Sequence, residues 1–199
     1  MSEAPAPAVP MAASQTGRIP GEAGIWVLIG GDLVLFSFLF ATFLFYRGES
    51  PDLFGSGRAQ LDQTLGLVNT LLMLTSSWFM ASGVAAARQG RERVPHRCFS
   101  MALACGAAFV LVKYVEYGDK LRSGVTMMTN DFFMFYFAYT GLHLIHVLIG
   151  MGVLVAMVVH ARGRRVSTIN ATLIESGASF WHLVDLLWIV LFALLYLVA

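Results

Sequence analysis

Charge is scarce in this sequence. Only 13% of its 199 residues are Asp, Glu, Lys or Arg, against 57% that are hydrophobic; a soluble domain carries roughly 25% charge. The mean hydropathy of +0.70 points the same way. The chain therefore reads as an integral membrane protein. An excess of either sign is missing too. Thirteen basic residues against twelve acidic ones leave a formal net charge of +1, which gives no electrostatic case for nucleic acid. Cysteine is nearly absent. Cys98 and Cys105 stand seven apart in one apolar segment, a pattern that suggests neither a disulfide framework nor a Cys-based metal motif. No internal repeat is visible. The opening MSEAPAPAVPMAASQTGRIPGE is rich in Pro and Ala and has no apolar core. It reads as a disordered tail over 1–21, not a signal peptide. Residues 22–199 are left as the membrane domain.

What the sequence does have is five apolar runs, at 24–46, 65–87, 97–118, 131–159 and 176–198. Each can cross a hydrocarbon core about 30 Å thick at ~1.5 Å per helical residue. The fourth is overlong and is expected to tilt or to emerge from the bilayer. Lipid cannot satisfy backbone N–H and C=O groups, so an all-α bundle of five transmembrane helices is the expected fold. Between the first two runs, RGESPDLFGSGRAQLDQ has the Pro, Gly and Asp of a surface turn. Arginine fixes the orientation. Arg88, Arg91, Arg93 and Arg97 follow the second run, Arg162, Arg164 and Arg165 follow the fourth, and Arg18 precedes the first. The other side has Arg47, Arg58, Lys120 and Arg122, offset by Glu49, Asp52, Asp62 and Asp119. The expected topology is a cytoplasmic N-terminus and a periplasmic C-terminus.

A few ionisable groups interrupt the apolar runs. In SFWHLVDLLW, His182 and Asp185 are three apart and share a helix face with Ser179 and Glu175. Asp32 lies at a similar depth in the first run, and His143 and His146 share a face of the fourth with Tyr136 and Tyr139. The second run adds Asn69, Ser76 and Ser77. A charge at the bilayer centre costs about 2.5–3.5 kcal/mol even on insertion scales. These groups are therefore expected to face one another in a buried polar seam of Asp32, His143, His146, His182 and Asp185. Three roles are open to such a seam. It could hold a metal or haem, although the Glu-x-x-His pairs of di-iron bundles and the repeated His pairs of multihaem cytochromes are missing. It could relay protons or ions. It could be structural, with His–Asp hydrogen bonds fixing helix register. Trp26, Trp181 and Trp188 read as packing or interface anchors, and Lys113 with Glu116 as an i,i+3 pair. Glu22, after Pro20 and Gly21, stands where a helix begins and its carboxylate suits the positive end of the dipole. An independent transporter would show Gly/Pro-broken helices; Gly30–Gly31 is the nearest approach.

Five motifs, one per run, resemble subunit III of the haem-copper respiratory oxidases. FWHLVDLLWIVLF at 180–192 resembles that family's last-helix signature, with Trp181, His182, Asp185 and Trp188 in place. GLHLIHVLIG at 141–150 is similar to its Gly-x-His-x-x-His-Val helix, NTLLMLTSSW at 69–78 to its Asn-Thr…Ser-Ser helix, and KYVEY at 113–117 to its Glu-Tyr helix end. GIWVLIGGDLVLFSFLFATF at 24–43 resembles the helix with a buried carboxylate, usually Glu and here Asp32. The resemblance covers about 20–199. Five helices, where the mitochondrial type has seven, are similar to the bacterial quinol-oxidase form and to a subunit-III-like protein accompanying nitric oxide reductases. PGEAGIW and FMFYFAYTGLHLIHV lean toward the latter branch. The resemblance implies a non-catalytic subunit in the bacterial inner membrane, with two helix groups around a cleft that holds structural phospholipid. It implies packing against catalytic subunit I, with haem and copper in partner subunits and none in this chain. It also implies a role in maintaining the complex and assisting proton uptake. The reading from another class is an independent haem- or metal-binding enzyme or transporter that uses the seam.

Overall fold

The computed structural model describes residues 23–161 and 168–198. The tail expected over 1–21, Glu22, and Arg162, Arg164 and Arg165 lie outside the described residues. The elements are α1 (Ala23–Glu49), α2 (Pro51–Ala59), α3 (Gln63–Arg88), α4 (Val94–Arg122), α5 (Asp131–His160) and α6 (Thr168–Phe192), with a π-helical turn over Ala193–Leu197. There is no strand among the described residues. α1, α3, α4, α5 and α6 are long and apolar enough to cross a membrane, and they match the five apolar runs one to one. The protein is an all-α, multi-pass membrane protein.

Local chemistry sets the helix ends. Asp62 Oδ1 caps α3 by accepting from the backbone N–H groups of Thr64 (2.8 Å) and Leu65 (3.2 Å), and Asn130 Oδ1 accepts from Phe133 N at 2.9 Å to cap α5. α3 and α4 both stop at a glycine with positive φ, Gly90 at 70° and Gly124 at 79°. In each case the glycine N–H and the next N–H bond back into the last turn, Gly90 to Ala87 and Arg91 to Ala86, Gly124 to Leu121 and Val125 to Lys120. This is the Schellman closure, which needs a residue free to adopt the left-handed region.

The segment between the first two spans is more than a surface turn, because it contains α2. Pro51 suits the first helical turn, where its missing N–H costs nothing. Phe54 buries its ring against Phe43 (5.2 Å between centroids), Phe132 (5.8 Å) and Phe135 (6.1 Å). Gly57 lies directly under the Phe132 ring, with no room for a Cβ. Burial of one aromatic ring outweighs the poor helix propensity of Gly55 and Gly57.

α3, α4, α5 and α6 close into a four-membered ring of neighbours, and α1 lies outside it against α6. α1 also touches α5, where the Tyr139 hydroxyl donates to the Leu39 carbonyl at 2.6 Å. α6 is the most enclosed span and α1 the least. The fully buried Trp181 and Trp188 of α6 both donate to hydroxyls on α3. Trp181 Nε1 reaches Ser76 Oγ at 3.1 Å, and Trp188 Nε1 reaches Thr70 Oγ1 at 3.1 Å. Each hydroxyl in turn donates to a carbonyl, Ser76 to Ala102 and Thr70 to Gly66, both at 2.9 Å. Gln63 Nε2 extends the series to the Tyr196 carbonyl at 3.1 Å, and Arg88 extends it to Glu175 at the other end, also 3.1 Å. Partners later in α6 and its π-helical extension lie earlier in α3, from Glu175–Arg88 through Trp181–Ser76 and Trp188–Thr70 to Tyr196–Gln63, as antiparallel helices require.

The Trp181 ring is wedged between glycines on both neighbours. A Cβ at Gly150 would stand 2.7 Å from Trp181 Cε3, and one at Gly106 would stand 3.0 Å from Cη2. Overpacking of this kind costs typically about 1–3 kcal/mol. Gly150→Ala is expected to lower the thermal midpoint of the protein in detergent. Gly141→Ala, where a Cβ meets nothing within 4 Å, is expected to leave the midpoint unchanged, and the two melting curves measured side by side make the check.

Candidate functional site

The structure brings the sequence-expected polar residues into local groups. Asp32 and His146 meet between α1 and α5, with Nε2 of the ring 3.3 Å from Oδ1 of the carboxyl. The other ring nitrogen, Nδ1, lies 2.9 Å from the Leu142 carbonyl. A carbonyl only accepts, so Nδ1 carries a hydrogen. The Nε2–Oδ1 contact joins the ring to the carboxyl across α1 and α5. Both side chains are largely enclosed, at 13% and 12% exposure, and Phe36 and Phe180 flank the imidazole.

His143 is fully buried one turn toward the start of α5. Its Nε2 donates to the Val184 carbonyl of α6 at 3.0 Å, which fixes the tautomer by the same argument. Phe109 and Trp188 pack on the ring at 5.7 and 5.3 Å between centroids. His182 bonds through Nδ1 to Ser77 Oγ at 2.7 Å, one residue along from the Trp181–Ser76 bond. Asp185 is 6% exposed, and its Oδ1 has no hydrogen-bond partner among the described residues. Asn69 is fully buried and neither atom of its amide is hydrogen-bonded among the described residues; nothing in the structure explains that. No group of three or more His, Cys, Asp or Glu side chains converges as a metal ligand set would among the described residues.

The strongest electrostatic feature lies elsewhere, where α4, α5 and the π-helical turn meet. Lys113 Nζ donates to Glu116 Oε2 at 2.9 Å, and both side chains are only 2% exposed. The Tyr196 hydroxyl closes a triangle by donating to Glu116 Oε1 and accepting from Lys113 Nζ at 3.0 Å. Four rings surround the ammonium, with Trp188 at 4.9 Å, Tyr136 at 5.2 Å, Tyr196 at 5.5 Å and Tyr117 at 5.6 Å from Nζ to centroid. Their electron-rich faces replace part of the lost hydration. Tyr117 is held in turn, its hydroxyl 2.6 Å from Thr140 Oγ1.

The i,i+3 spacing made the Lys113–Glu116 pair readable. Tyr196 gave no signal, since it sits in the apolar run ALLYL and reaches the pair only because the helix widens to a π turn there. Thr70 and Thr140 looked like ordinary span residues.

A buried ion pair that loses one partner leaves an uncompensated charge, at a cost of about 3–5 kcal/mol. Lys113→Met and Glu116→Gln are each expected to destabilise the protein on that scale. The double variant is expected to recover most of the loss, as read from thermal unfolding of all four proteins in one detergent. Additive losses would show that the two groups act independently.

Comparison with known proteins gives concordant matches. The model of the family described as cytochrome c oxidase subunit III matches residues 22–199. The quinol oxidase subunit 3 of Bacillus subtilis (strain 168) is 29% identical over 189 residues, covering 92% of this chain and 89% of that protein. The cytochrome c oxidase subunit 3 of Synechocystis is 32% identical over 177 residues, covering 87% and 74%. The protein of the same description from Thermostichus vulcanus is 31% identical over 177 residues, covering 87% and 85%.

Proposed function

The chain belongs to the cytochrome c oxidase subunit III family, and from that membership we propose that it is the non-catalytic third subunit of a bacterial haem-copper terminal oxidase. The observation that carries the reading is coverage. The family match takes in all five membrane helices and every polar group described above. In this reading the chain sits in the bacterial inner membrane with the loop of Arg88, Arg91, Arg93 and Arg97 on the cytoplasmic side. It packs against catalytic subunit I and binds phospholipid. Haem and copper belong to its partners. Its own chemistry is structural. His143 and His182 hold α5 and α3 to α6, and the Lys113 cluster holds α4 to both. The Asp32–His146 pair at the α1 edge is the group suited to assist proton uptake.

The PGEAGIW and FMFYFAYTGLHLIHV segments favour a second reading, an accessory protein of a nitric oxide reductase. One preparation separates the two. The tagged chain is purified from its native membrane in mild detergent, its absorption spectrum is recorded, and the proteins that accompany it are identified. Haem bands are expected to travel with a large catalytic subunit and to vanish when this chain is stripped free. The identity of that subunit names the acceptor, oxygen or nitric oxide. A haem or metal retained by the isolated chain would overturn the accessory reading. His182→Ala or Asp185→Ala is expected to lower the yield of complex, because each removes a polar side chain from the α3–α6 contact, where His182 bonds Ser77. The complex that survives should keep its full haem content, measured per catalytic subunit.

A further inference from the structure

A crevice of about 310 Å³ opens between α3 and α6 at the end of the bundle that carries Arg88 and Glu175. The two form an ion pair across its mouth, 3.1 Å apart, and their side chains keep 62% and 28% exposure. Ala85, Ala178 and Ser179 form the walls, and His182 lies at the inner end. His182 stands seven residues along α6 from Glu175, so the crevice runs about 10 Å into the span at ~1.5 Å per residue.

The chemistry of the lining selects the occupant. His182 uses Nδ1 for Ser77, and the residue lines the crevice. An imidazole nitrogen against a lipid tail would lose the hydrogen bond it makes in water, a penalty that hydrocarbon cannot relieve. Polar groups thus mark the mouth, the middle and the inner end of one opening. Its volume admits on the order of ten waters at the ~30 Å³ each takes in the liquid.

We propose that this crevice is a water-filled inlet that brings solvent from the Arg88 side of the membrane to His182 and makes the His182–Ser77 pair a site of proton exchange with that side. The inlet is separate from the Asp32–His146 pair, which lies between α1 and α5. It does not depend on which partner the subunit serves.

Cysteine accessibility in membranes holding the whole complex tests it. In a background with Cys98→Ser and Cys105→Ser, single variants Ala85→Cys and Ser179→Cys line the inlet with little change in volume. Gln89→Cys in the adjacent loop is the solvent-exposed control, and Leu71→Cys, on the exposed apolar face of α3, is the lipid control. The probe is a membrane-impermeant cationic thiosulfonate added to sealed vesicles of each orientation. Only the thiolate reacts, and thiolate forms only where water reaches. The inlet cysteines are expected to react from the Arg88 side alone, within about tenfold of the Gln89→Cys rate, and Leu71→Cys about a hundredfold more slowly. Inlet cysteines that ignore the cationic reagent but take up an apolar, membrane-permeant maleimide would put lipid in the crevice and overturn the proposal. Inlet cysteines inert to both reagents would mean closed packing and would overturn it as well.

Discussion

A donor buried beyond the reach of water must find its partner in the protein, and the inner part of the α3–α6 contact is organised by that constraint. Past the inlet that Arg88, Glu175 and His182 line, three side-chain bonds join the helices: Ser76–Trp181, Thr70–Trp188, and Gln63 to the Tyr196 carbonyl. Burying an indole N–H without a partner is costly in hydrocarbon. A slip of one residue between the helices would strand several donors at once. Apolar packing alone does not impose this, since lipid tails offer a leucine much the same surroundings as another leucine does. The polar bonds choose the register and the rings then fill it.

The remaining contacts are arranged around that register. With Trp181 fixed to Ser76, its ring can only lie across α4 and α5, and both helices meet it with a glycine, Gly106 and Gly150. With Trp188 fixed to Thr70, its outer face is left beside Lys113 and His143. The lysine needs that face, because a buried ammonium keeps little else of its hydration. The π turn after Phe192 then places Tyr196 over the same ion pair while its carbonyl accepts from Gln63. One residue thereby ties α3, α4 and the end of α6 together. α1 takes part in none of these contacts and is held by Tyr139, Phe43 and the Asp32–His146 pair at the edge.

Much of this was legible because membrane chemistry is restrictive. Length and hydropathy located all five spans, and the shared face of His143 and His146 followed from helical spacing. That the two would turn to different partners did not follow. His146 looks out to α1 and His143 looks in to a backbone carbonyl of α6, and a backbone acceptor leaves no mark in sequence. Four of the five expected seam residues, Asp32, His143, His146 and His182, are distributed over three separate contacts. Ser76 and Ser77 illustrate the limit further. Adjacent hydroxyls could be read as one polar patch, yet one serves a tryptophan and the other a histidine. α2 was hidden by Pro51, Gly55 and Gly57, whose turn propensity is real but local. Burial of Phe54 under rings from α1 and α5 decides the matter and is visible only in three dimensions.

The Lys113–Glu116 pair has a consequence in an energised membrane. A full elementary charge moved across the bilayer gains or loses about 2.3 kcal/mol for each 100 mV. A lone buried lysine would therefore feel the potential directly and drag on α4 whenever the membrane charged or discharged. Here the compensating carboxylate is 2.9 Å away on the same helix. That separation is at most roughly a tenth of the ~30 Å over which the field drops, so the pair responds with only about 0.2 kcal/mol per 100 mV. The core of the bundle can hold an ion pair in the dry interior and still keep one shape whether the membrane is polarised or not.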